Sequence, residues 1–570
     1  MAPVCLGGGA GVCWTWSTPR AAGHGSRLMR SCGGWAVGAP KRESGVGRSH
    51  AMTGPDRSHA MDHVVAVLFE NRSFDNLLGR LYEPGEVPSF EGVIGKDLGN
   101  PIPSWAEDGA DRERVPYGVA PDMDTPNPDP GEEYQHLNTQ LFGVIDPPGN
   151  RGVPAEKMAS PYNAPSDAGR VPTMDGFVAD YISAVTAETG RQPVYDEYAQ
   201  IMTGYAPAQM PVLSALARGF ATFDHWFCEV PSQTFTNRSF FNAGTASGYV
   251  VNMSPADSFP VHNTAETVFD RLEAHGLTWR VYCSPPARLP FTGIIHAARL
   301  RDRFANFHST DRFFEDAANG TLPNYSFIEP ALVYGHNDMH PPEGALFPGL
   351  TFDTPSSLLG GEALLAQLYD AVRSSSSPTG SNAYNTLFVV TFDEAGGTYD
   401  HVPPPPAPPP DPAAPAGQYG FRFDRSGIRI PTVAVSAWAP ERAVVTGVHR
   451  STSVIHTLRE RWSLGPAFSA REAIAPDLRA VLTLETPRDP QDWPDVRPRP
   501  VPEFNEAMVP PDLPLRGLAK AMFFAAIGLG RELGQTVPDI GPDTPLTGAE
   551  GIAMIHDVFG HMFPSLNNQR

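Results

Sequence analysis

Short apolar runs alternate with amphipathic stretches over most of the chain. Five runs are rich in β-branched and aromatic residues, which predicts buried strands at Val64–Phe69, Thr278–Tyr282, Tyr325–Ile328, Asn385–Phe392 and Ile430–Ser436. The stretches between them carry apolar residues at helical spacing, which predicts helices at Thr264–Gly276 (capped by Thr264), Gly360–Ser375 and Ser451–Trp462. Buried strands that alternate with such helices predict an α/β fold with a mainly parallel central sheet.

Polar side chains follow two of the predicted strands at the point where each strand ends. Glu70 and Asn71 come directly after the first run, and Asp393 and Glu394 come directly after the fourth. In sheets of this class, ligands bind beyond the carboxyl ends of the strands. Carboxylate and amide oxygens suit hard divalent cations such as Ca²⁺, Mg²⁺ or Mn²⁺. The two pairs together predict a divalent cation site, although each pair alone is more typical of a cap or a turn.

A polar loop, CEVPSQTFTNRSFFNAGTASG at Cys228–Gly248, offers the groups of a nucleophilic site. Its hydroxyls on Ser232, Thr234 and Thr236 are candidate nucleophiles, because a hydroxyl near a metal ion loses its proton more readily. Arg238 in the same loop can bind an anion through two parallel hydrogen bonds. The alternative is a loop whose polar residues only form turns, and spacing alone favours that alternative.

Further acids and histidines occur in loops elsewhere in the chain. They are Asp338 and His340 in YGHNDMHPPEG, Glu132, Glu133 and His136 in NPDPGEEYQHLNTQLFG, and Asp400 and His401 just beyond the second strand-end pair. Such residues can ligate a metal ion or form an acid–base pair, and they are also common in solvated loops.

Composition and charge narrow the classes of partner. The chain has 570 residues with 42 basic and 63 acidic side chains, a formal net charge of −21. That balance argues against nucleic acid and against broad adhesion to anionic lipid, since both need a positive field. No CxxC pattern indicates a structural zinc site, and we expect Cys228 and Cys283 to be free and buried. No apolar run is long enough for a transmembrane segment.

Several motifs, taken together and in order, resemble those of a known family. They are ENRSFDNLLG, PSQTFTNRSFFNAGT, NDMHPPEG and VVTFDEAGGTYDHVPPP, within about Val64 to Trp462. The family is the bacterial and plant phosphoesterases, which include the non-specific phospholipases C and related acid phosphatases. The resemblance implies an alkaline-phosphatase-like α/β sandwich with a central, mainly parallel sheet.

The resemblance also implies roles for the matching residues. The family's metal-binding positions correspond to Glu70, Asn71, Asp393 and Glu394. Its nucleophile position, where relatives carry Thr or Ser, corresponds to Thr234.

The residues around the phosphate are implied in the same way. His340 and His401 are the expected catalytic histidines, and Asp338, Asn237 and Arg238 are expected to bind or position the substrate. Glu132 stands where many relatives carry a histidine, which makes His136 the candidate substitute in substrate binding.

Three segments are predicted along the chain. Residues 1–60 are Gly-rich and aperiodic, which predicts a disordered extension. They contain no continuous apolar stretch typical of a secretory signal, so cytoplasmic and exported locations both stay open. Residues 61–500 are expected to form the phosphoesterase domain, and residues 501–570 a helical segment packed on or beside it.

The resemblance and the chemistry together predict a metal-dependent, phospholipase C-like phosphoesterase that works through a phospho-threonine intermediate. Its expected substrate is a phospholipid or a small phosphate ester. One alternative is an acid phosphatase for phosphomonoesters, because the same residues serve both reactions. The other is an inactive lipid- or phosphate-binding protein. Substrate head group, metal identity and oligomeric state stay open.

Overall fold

The computed structural model describes residues 56–554 apart from 168, 253–258, 285–289, 333–335, 343–356, 503–516, 538–539, 541–543, 545, 548–549 and 552. The contacts of the chain define two units, 1–53 and 54–570, and the described residues all belong to the second. Most of the extension predicted at 1–60 therefore lies outside the described residues. Within its last residues, Arg57 Nε donates to Leu484 O at 2.9 Å and Ala60 is buried.

Among the described residues, an eight-stranded sheet lies at the centre of the fold, and six further strands form three two-stranded sheets. In chain order the strands are β1 His63–Phe69, β2 Gly99–Pro101, β3 Arg114–Pro116, β4 Gly118–Val119, β5 Thr203–Gly204, β6 Ala221–Phe223, β7 Trp226–Phe227, β8 Trp279–Cys283, β9 Phe307–Ser309, β10 Tyr325–Glu329, β11 Thr386–Phe392, β12 Val433–Val435, β13 Ala443–Val445 and β14 His449–Arg450.

The order of the central sheet is β13-β6-β12-β11-β1-β10-β8-β9. Strand β12 is antiparallel to both of its neighbours, and the other pairs in the sheet are parallel. The prediction of an α/β fold with a mainly parallel central sheet is confirmed.

Strands β1 and β11 occupy the middle of this sheet and are buried along almost their whole length. Each residue of β11 is buried, as are the residues of β1 after His63. They pair in parallel register, ending with Phe69 opposite Phe392. Their carboxyl ends therefore stand side by side, and the residues that follow them share one edge of the sheet.

Helices cover the sheet and connect its strands. In chain order they are α1 Phe74–Leu77, α2 Tyr134–Phe142, α3 Phe177–Thr189, α4 Tyr195–Tyr198, α5 Pro211–Gly219, α6 Thr234–Ala243, α7 Phe259–His262, α8 Val268–Ala274, α9 Phe291–Ile295, α10 Ala297–Leu300, α11 Thr310–Asn319, α12 Ser357–Ser374, α13 Thr452–Trp462 and α14 Gly517–Glu532.

The predicted strands and helices are all present, although several boundaries differ: α12 begins three residues earlier than predicted, β12 is shorter than the predicted strand, and the start of α8 is corrected. Helix α8 begins at Val268 and not at the predicted cap Thr264. Its N-cap is Thr267, whose side chain accepts from Asp270 N at 3.3 Å, while Asp270 Oδ2 accepts from Thr267 N at 2.8 Å. This reciprocal pair satisfies two backbone donors at once, which favours the later threonine.

Three sequence expectations concern regions away from the centre of the sheet. Cys228 and Cys283 are free and buried, as predicted. The segment predicted to be helical at 501–570 contains α14, which packs on α7 and α9. Among the described residues, no helix combines the length and the apolar character needed to cross a membrane.

Candidate active site

The polar residues after β1 and β11 form one buried cluster. Asp393 N donates to Phe69 O at 3.0 Å, and Asp393 Oδ1 accepts from Asn71 N at 3.3 Å and from Glu394 N at 2.7 Å. Glu70, Asn71, Asp393 and Glu394 are all at most 1% exposed. We call these four residues the strand-end cluster. The structure thus brings together all four predicted metal ligands.

A tight backbone approach shapes the strand-end cluster. Asn71 has a φ of 55°, a left-handed conformation that Asn adopts more readily than most residues. Gly396 lies against it, and a Cβ on Gly396 would lie 2.4 Å from Asn71 O. Gly396 N also donates to Glu394 Oε2 at 2.7 Å. The glycine therefore lets one loop close over the other while it fixes one oxygen of Glu394.

Burial disfavours the charged forms of the carboxyl groups in this cluster. It raises the pKa of the Glu70 carboxyl well above its ordinary value, against the opposing effect of Arg238. It also raises the pKa of Glu394, and the nearby charges of Glu132 and Asp393 raise it further. A cation among such carboxyls would favour their ionised forms, because metal ligands bind deprotonated.

Thr234 is the hydroxyl of its loop that faces the strand-end cluster. It is the first residue of α6, and its Oγ1 donates to Glu70 Oε2 at 3.2 Å. The other two candidate hydroxyls bind backbone carbonyls: Ser232 donates to Val250 O, and Thr236 donates to Tyr249 O at 3.3 Å. The structure therefore distinguishes three hydroxyls that spacing alone left equivalent.

Arg238 and Asn237 lie on the next turn of the same helix. The Arg238 guanidinium contacts Glu70 Oε1, with Nε at 2.8 Å, and Asp393 Oδ2 at 3.2 Å. Asn237 Oδ1 accepts from the backbone N–H groups of Glu229 and Val230, both at 3.0 Å. Arg238 thus ties α6 to both strand ends, and Asn237 holds the turn that precedes Thr234.

Asp338 and His340 reach the cluster from the loop after β10. Asp338 O accepts from Glu70 N at 2.8 Å, and Asp338 Oδ1 accepts from His340 N at 3.1 Å. Burial alone would raise the pKa of Asp338, but His336 and His340 hold it below its ordinary value.

The ring of His340 meets the strand-end cluster through Asn71. Burial lowers the pKa of His340 to about 4, so the ring is neutral near pH 7. Its Nδ1 lies 2.6 Å from Pro341 O, which accepts the ring proton. Its Nε2 therefore carries the lone pair that receives the Asn71 amide at 2.8 Å.

Two residues next to the cluster have roles that the sequence did not indicate. Glu132, to which the sequence assigned no contact, accepts from Asn71 Nδ2 through Oε2 and from Gln233 Nε2 through Oε1 at 3.0 Å. Gln233 directly precedes Thr234 and caps α6. The replacement of a family histidine by Glu132 was the signal in the sequence that could have pointed to this contact.

A cleft of about 460 Å³ opens beside the cluster. Its walls include Glu132 and Gln233, and also Glu133, His136 and Tyr419. Its volume lies in the range typical of small-molecule sites.

His136 lies in the wall of this cleft rather than in the cluster. Burial by itself would lower its pKa, but Asp180, whose Oδ1 is 2.8 Å from Nδ1, raises the pKa to about 9. The raised pKa favours a protonated His136 near pH 7, and its charge is paired with Asp180 in the wall of the cleft.

His401 belongs to a different group of side chains. Its Nδ1 is 2.6 Å from Asp75 Oδ2, and its Nε2 is 2.9 Å from Glu91 Oε1. Arg429 Nε donates to Asp400 Oδ1 at 2.9 Å, and Arg429 Nη2 donates to Asp75 Oδ1 at 2.8 Å. We call Asp75, Asp400, His401 and Arg429 the arginine-clamped cluster. The hydrogen bonds described for His401 do not join it to the strand-end cluster.

The donor set of the strand-end cluster fits the predicted divalent cation. Within the described part of the chain, Asn71 Oδ1 and Glu394 Oε1 are buried oxygens without a hydrogen-bond partner. Buried polar atoms usually have a hydrogen-bond partner, so these two oxygens are available to a water molecule or a cation. Together with the carboxylates of Glu70 and Asp393 they form an all-oxygen set, which suits Ca²⁺, Mg²⁺ or Mn²⁺.

Comparison with known families identifies the family of enzymes to which this chain belongs. The model of the family described as Phosphoesterase family matches residues 61–465, which include every residue of the strand-end cluster. The match covers more than half of the chain, so the chain belongs to the phosphoesterase family. It is accordingly a hydrolase that acts on phosphate esters, as the sequence motifs predicted.

Individual relatives extend the likeness over most of the chain. The non-specific phospholipase C6 of Arabidopsis thaliana is 30% identical over 459 residues, which cover 76% of this chain and 75% of that protein. The non-hemolytic phospholipase C of Pseudomonas aeruginosa is 25% identical over 473 residues, which cover 75% of this chain and 58% of that protein.

Solved structures overlap the chain only in part. A protein in the alkaline phosphatase superfamily from Vibrio parahaemolyticus is 14% identical, with a TM-score of 0.29, and covers 48% of this chain and 64% of its own.

Proposed function

We propose that the protein is a divalent-cation-dependent, phospholipase C-like phosphoesterase in which Thr234 is the nucleophile. The observation that carries the proposal is the position of the Thr234 hydroxyl. It lies 3.2 Å from Glu70 Oε2, beside Asn71 Oδ1 and Glu394 Oε1, which have no hydrogen-bond partner among the described residues. The proposed substrates are phospholipids or small phosphate diesters.

Glu70, Asn71, Asp393 and Glu394 would hold the cation in this proposal. When bound, a divalent cation neutralises phosphate charge and lowers the pKa of a nearby hydroxyl. Arg238 contacts Glu70 and Asp393 from the side of α6, which keeps two ligands and the helix that carries Thr234 in fixed relation.

The chain positions Thr234 for attack on phosphorus. Thr is β-branched, so its χ1 angle has few alternatives. Its place at the first turn of α6 also puts it where backbone N–H groups and the helix dipole favour an anion. Both features orient the oxygen and the phosphate before any bond changes.

The proposed reaction has two displacements. A bond forms from Thr234 Oγ1 to phosphorus while the bond from phosphorus to the leaving oxygen breaks. The hydroxyl of Thr234 gives up its proton and the leaving oxygen gains one, so the step is balanced in protons. Water then breaks the bond between Thr234 Oγ1 and phosphorus, which releases the phosphate product and restores the hydroxyl. The sequence motifs imply two histidines beside the phosphate, His340 and His401. His340 contacts the strand-end cluster through Asn71, so we propose His340 as the histidine beside the phosphate.

The cleft favours a diester over a monoester. It shares Glu132 and Gln233 with the surroundings of the cluster and provides about 460 Å³ for the second substituent on phosphorus. A phosphomonoester has no second substituent to occupy this space.

A comparison of substrates with and without chelator tests the proposal. Phosphatidylcholine vesicles, p-nitrophenyl phosphorylcholine and p-nitrophenyl phosphate are assayed before and after EDTA. We expect turnover of the diesters to exceed that of the monoester and to stop with EDTA. Preferred turnover of p-nitrophenyl phosphate would favour the acid phosphatase alternative, and chelator-resistant turnover would contradict cation dependence. Binding without turnover of any of the three would favour the inactive alternative.

A further inference from the structure

Glu132 connects two parts of the proposed site that come from distant segments of the chain. It lies just before α2, is 9% exposed, and uses its two carboxylate oxygens on two different partners. Oε2 accepts from the Asn71 amide and Oε1 accepts from Gln233 Nε2 at 3.0 Å. One carboxylate therefore links the end of β1 to the residue that caps α6.

The contact with Asn71 orients that amide. Asn71 Nδ2 contacts both Glu132 Oε2 and His340 Nε2, so both of its N–H groups are used. The amide oxygen is consequently directed away from these partners, and it is one of the buried oxygens without a partner in the described residues. Without an acceptor at Glu132, an amide rotated by half a turn would present N–H groups where a cation needs an oxygen.

The contact with Gln233 orients the turn before the nucleophile. Gln233 Oε1 accepts from Asn252 N at 3.0 Å, while its Nε2 donates to Glu132. Phe235 N, on the other side of Thr234, donates to Asn252 Oδ1 at 2.8 Å. The residues on both sides of Thr234 are thus held by one chain of hydrogen bonds that ends on Glu132.

We propose that Glu132 is a positioning residue that fixes the Asn71 amide for cation binding and the Gln233 turn for attack by Thr234. The inference rests on the proposed function, because it assigns a cation ligand to Asn71 and a nucleophile to Thr234. It goes further in giving a role to the position at which this chain departs from the family motif. Hydrogen-bond partners of metal ligands typically contribute about 10–100-fold to metal affinity or activity.

The two contacts can be separated by mutation. Glu132→Ala removes both, whereas Gln233→Ala removes only the contact toward Thr234. Glu485→Ala is the matched control, because Glu485 is an exposed glutamate outside the cleft. Cation affinity is measured on the full chain by calorimetric titration with Ca²⁺, Mg²⁺ and Mn²⁺ in the absence of substrate, and kcat and KM are measured separately.

We expect Glu132→Ala to weaken cation binding by about 10–100-fold and to lower kcat. Gln233→Ala should lower kcat while its cation affinity stays within about twofold of the wild type, because its contact does not reach Asn71. The double variant Asn71→Ala/Glu132→Ala should bind cation no more weakly than Asn71→Ala, since both changes act through one ligand. Glu485→Ala should match the wild type throughout.

Unchanged cation affinity in Glu132→Ala, or losses that simply add in the double variant, would overturn the inference. If Glu132→Ala loses the native near-ultraviolet circular dichroism, Glu132→Gln is titrated instead. It keeps the side-chain volume but retains only one acceptor oxygen, and unchanged cation affinity together with unchanged kcat would again overturn the inference. A wild-type protein that binds none of the three cations would instead contradict the proposed function itself, which separates the two failures.

Discussion

The strand-end cluster and the arginine-clamped cluster follow the same two strands and contain similar side chains, yet their hydrogen bonding differs. In the arginine-clamped cluster, each oxygen of Asp75 and Asp400 has a partner: Arg429, His401 or backbone N–H. In the strand-end cluster, one oxygen of Asn71 and one of Glu394 have none among the described residues.

The comparison shows that residue type and position after a strand do not identify a ligand site by themselves. A buried carboxylate that pairs with a guanidinium and whose oxygens each accept a hydrogen bond already has a counter-charge and partners, which favours a structural role. A buried carboxylate oxygen that accepts no hydrogen bond can instead ligate a cation. Mutations in each cluster can show whether the strand-end cluster binds a cation while the arginine-clamped cluster contributes to stability.

The largest effect is expected at Thr234. Thr234→Ala removes the attacking atom from the strand-end cluster and should lower kcat by about three orders of magnitude or more. Thr234→Ser should retain partial activity because the oxygen remains while the rotamer is less restricted. Thr236→Ala is the control, since its hydroxyl binds Tyr249 O. Full activity in Thr234→Ala would rule out this nucleophile.

Removal of one carboxylate should lower cation affinity in the strand-end cluster and the free energy of unfolding in the arginine-clamped cluster. Glu394→Gln neutralises a proposed ligand and should weaken cation binding by more than the roughly 10–100-fold that hydrogen-bond partners of ligands contribute. Asp400→Asn neutralises an acid of the arginine-clamped cluster and should leave cation affinity within about twofold while it lowers the free energy of unfolding. Titration calorimetry and urea unfolding measure the two quantities. Equal losses of cation affinity in both variants would contradict the claim that only the strand-end cluster binds the cation.

The guanidinium of Arg429 should matter for stability and not for cation binding. Arg429→Gln leaves the buried carboxylates of Asp75 and Asp400 without their counter-charge, which should cost about 3–5 kcal/mol of the free energy of unfolding. Urea unfolding measures the loss. The folded fraction should bind cation as the wild type does, and a tenfold loss of that affinity would show that the arginine-clamped cluster serves the site.

His340 and His401 should differ in their effect on catalysis, because only His340 is described in contact with the strand-end cluster. His340→Gln acts next to Asn71 and should reduce kcat more than His401→Gln. The loss in His401→Gln should stay below the roughly 10²-fold that a general acid or base contributes. Steady-state kinetics on a diester substrate measures both variants. A larger loss in His401→Gln would restore His401 to the catalytic role that the sequence motif implies.

The smallest effect is a pH dependence of stability. Burial alone would lower the pKa of His401, but the hydrogen bond and charge of Asp75 raise it above its ordinary value. A raised pKa stabilises the fold fully below the ordinary histidine pKa of about 6.5, and this contribution is lost as pH rises through the folded pKa. Urea unfolding on the alkaline side of that range should show a decline in the wild type that is weaker in His401→Gln. Parallel declines would contradict the assignment.

The sequence predicts one half of the site well, and the reason is topological. Parallel strands end at one edge of a sheet, so the apolar runs predict that Glu70 and Asn71 share an edge with Asp393 and Glu394. That β1 and β11 are neighbours is set by the strand order, which the runs do not encode. The start of α8 was harder, because Thr264 and Thr267 are both plausible caps and only the reciprocal bond with Asp270 decides between them.

Other parts of the site depend on contacts between distant segments. Arg429, which satisfies Asp75 and Asp400, comes from a loop far along the chain, so no local pattern showed that those acids were paired. The contact of Glu132 with Gln233 spans 101 positions. Burial and hydrogen-bond partners across such separations are set by packing, which local spacing does not encode.

The most direct test of the account is to locate the phosphate on the enzyme during turnover. The wild-type protein is mixed with a phosphate diester in the presence of divalent cation, quenched in acid, digested and analysed by mass spectrometry. The account predicts a single phosphorylated residue, Thr234, whose label is absent after treatment with EDTA and in Thr234→Ala. Phosphate on Ser232 or Thr236, or a label that persists in Thr234→Ala, would contradict it.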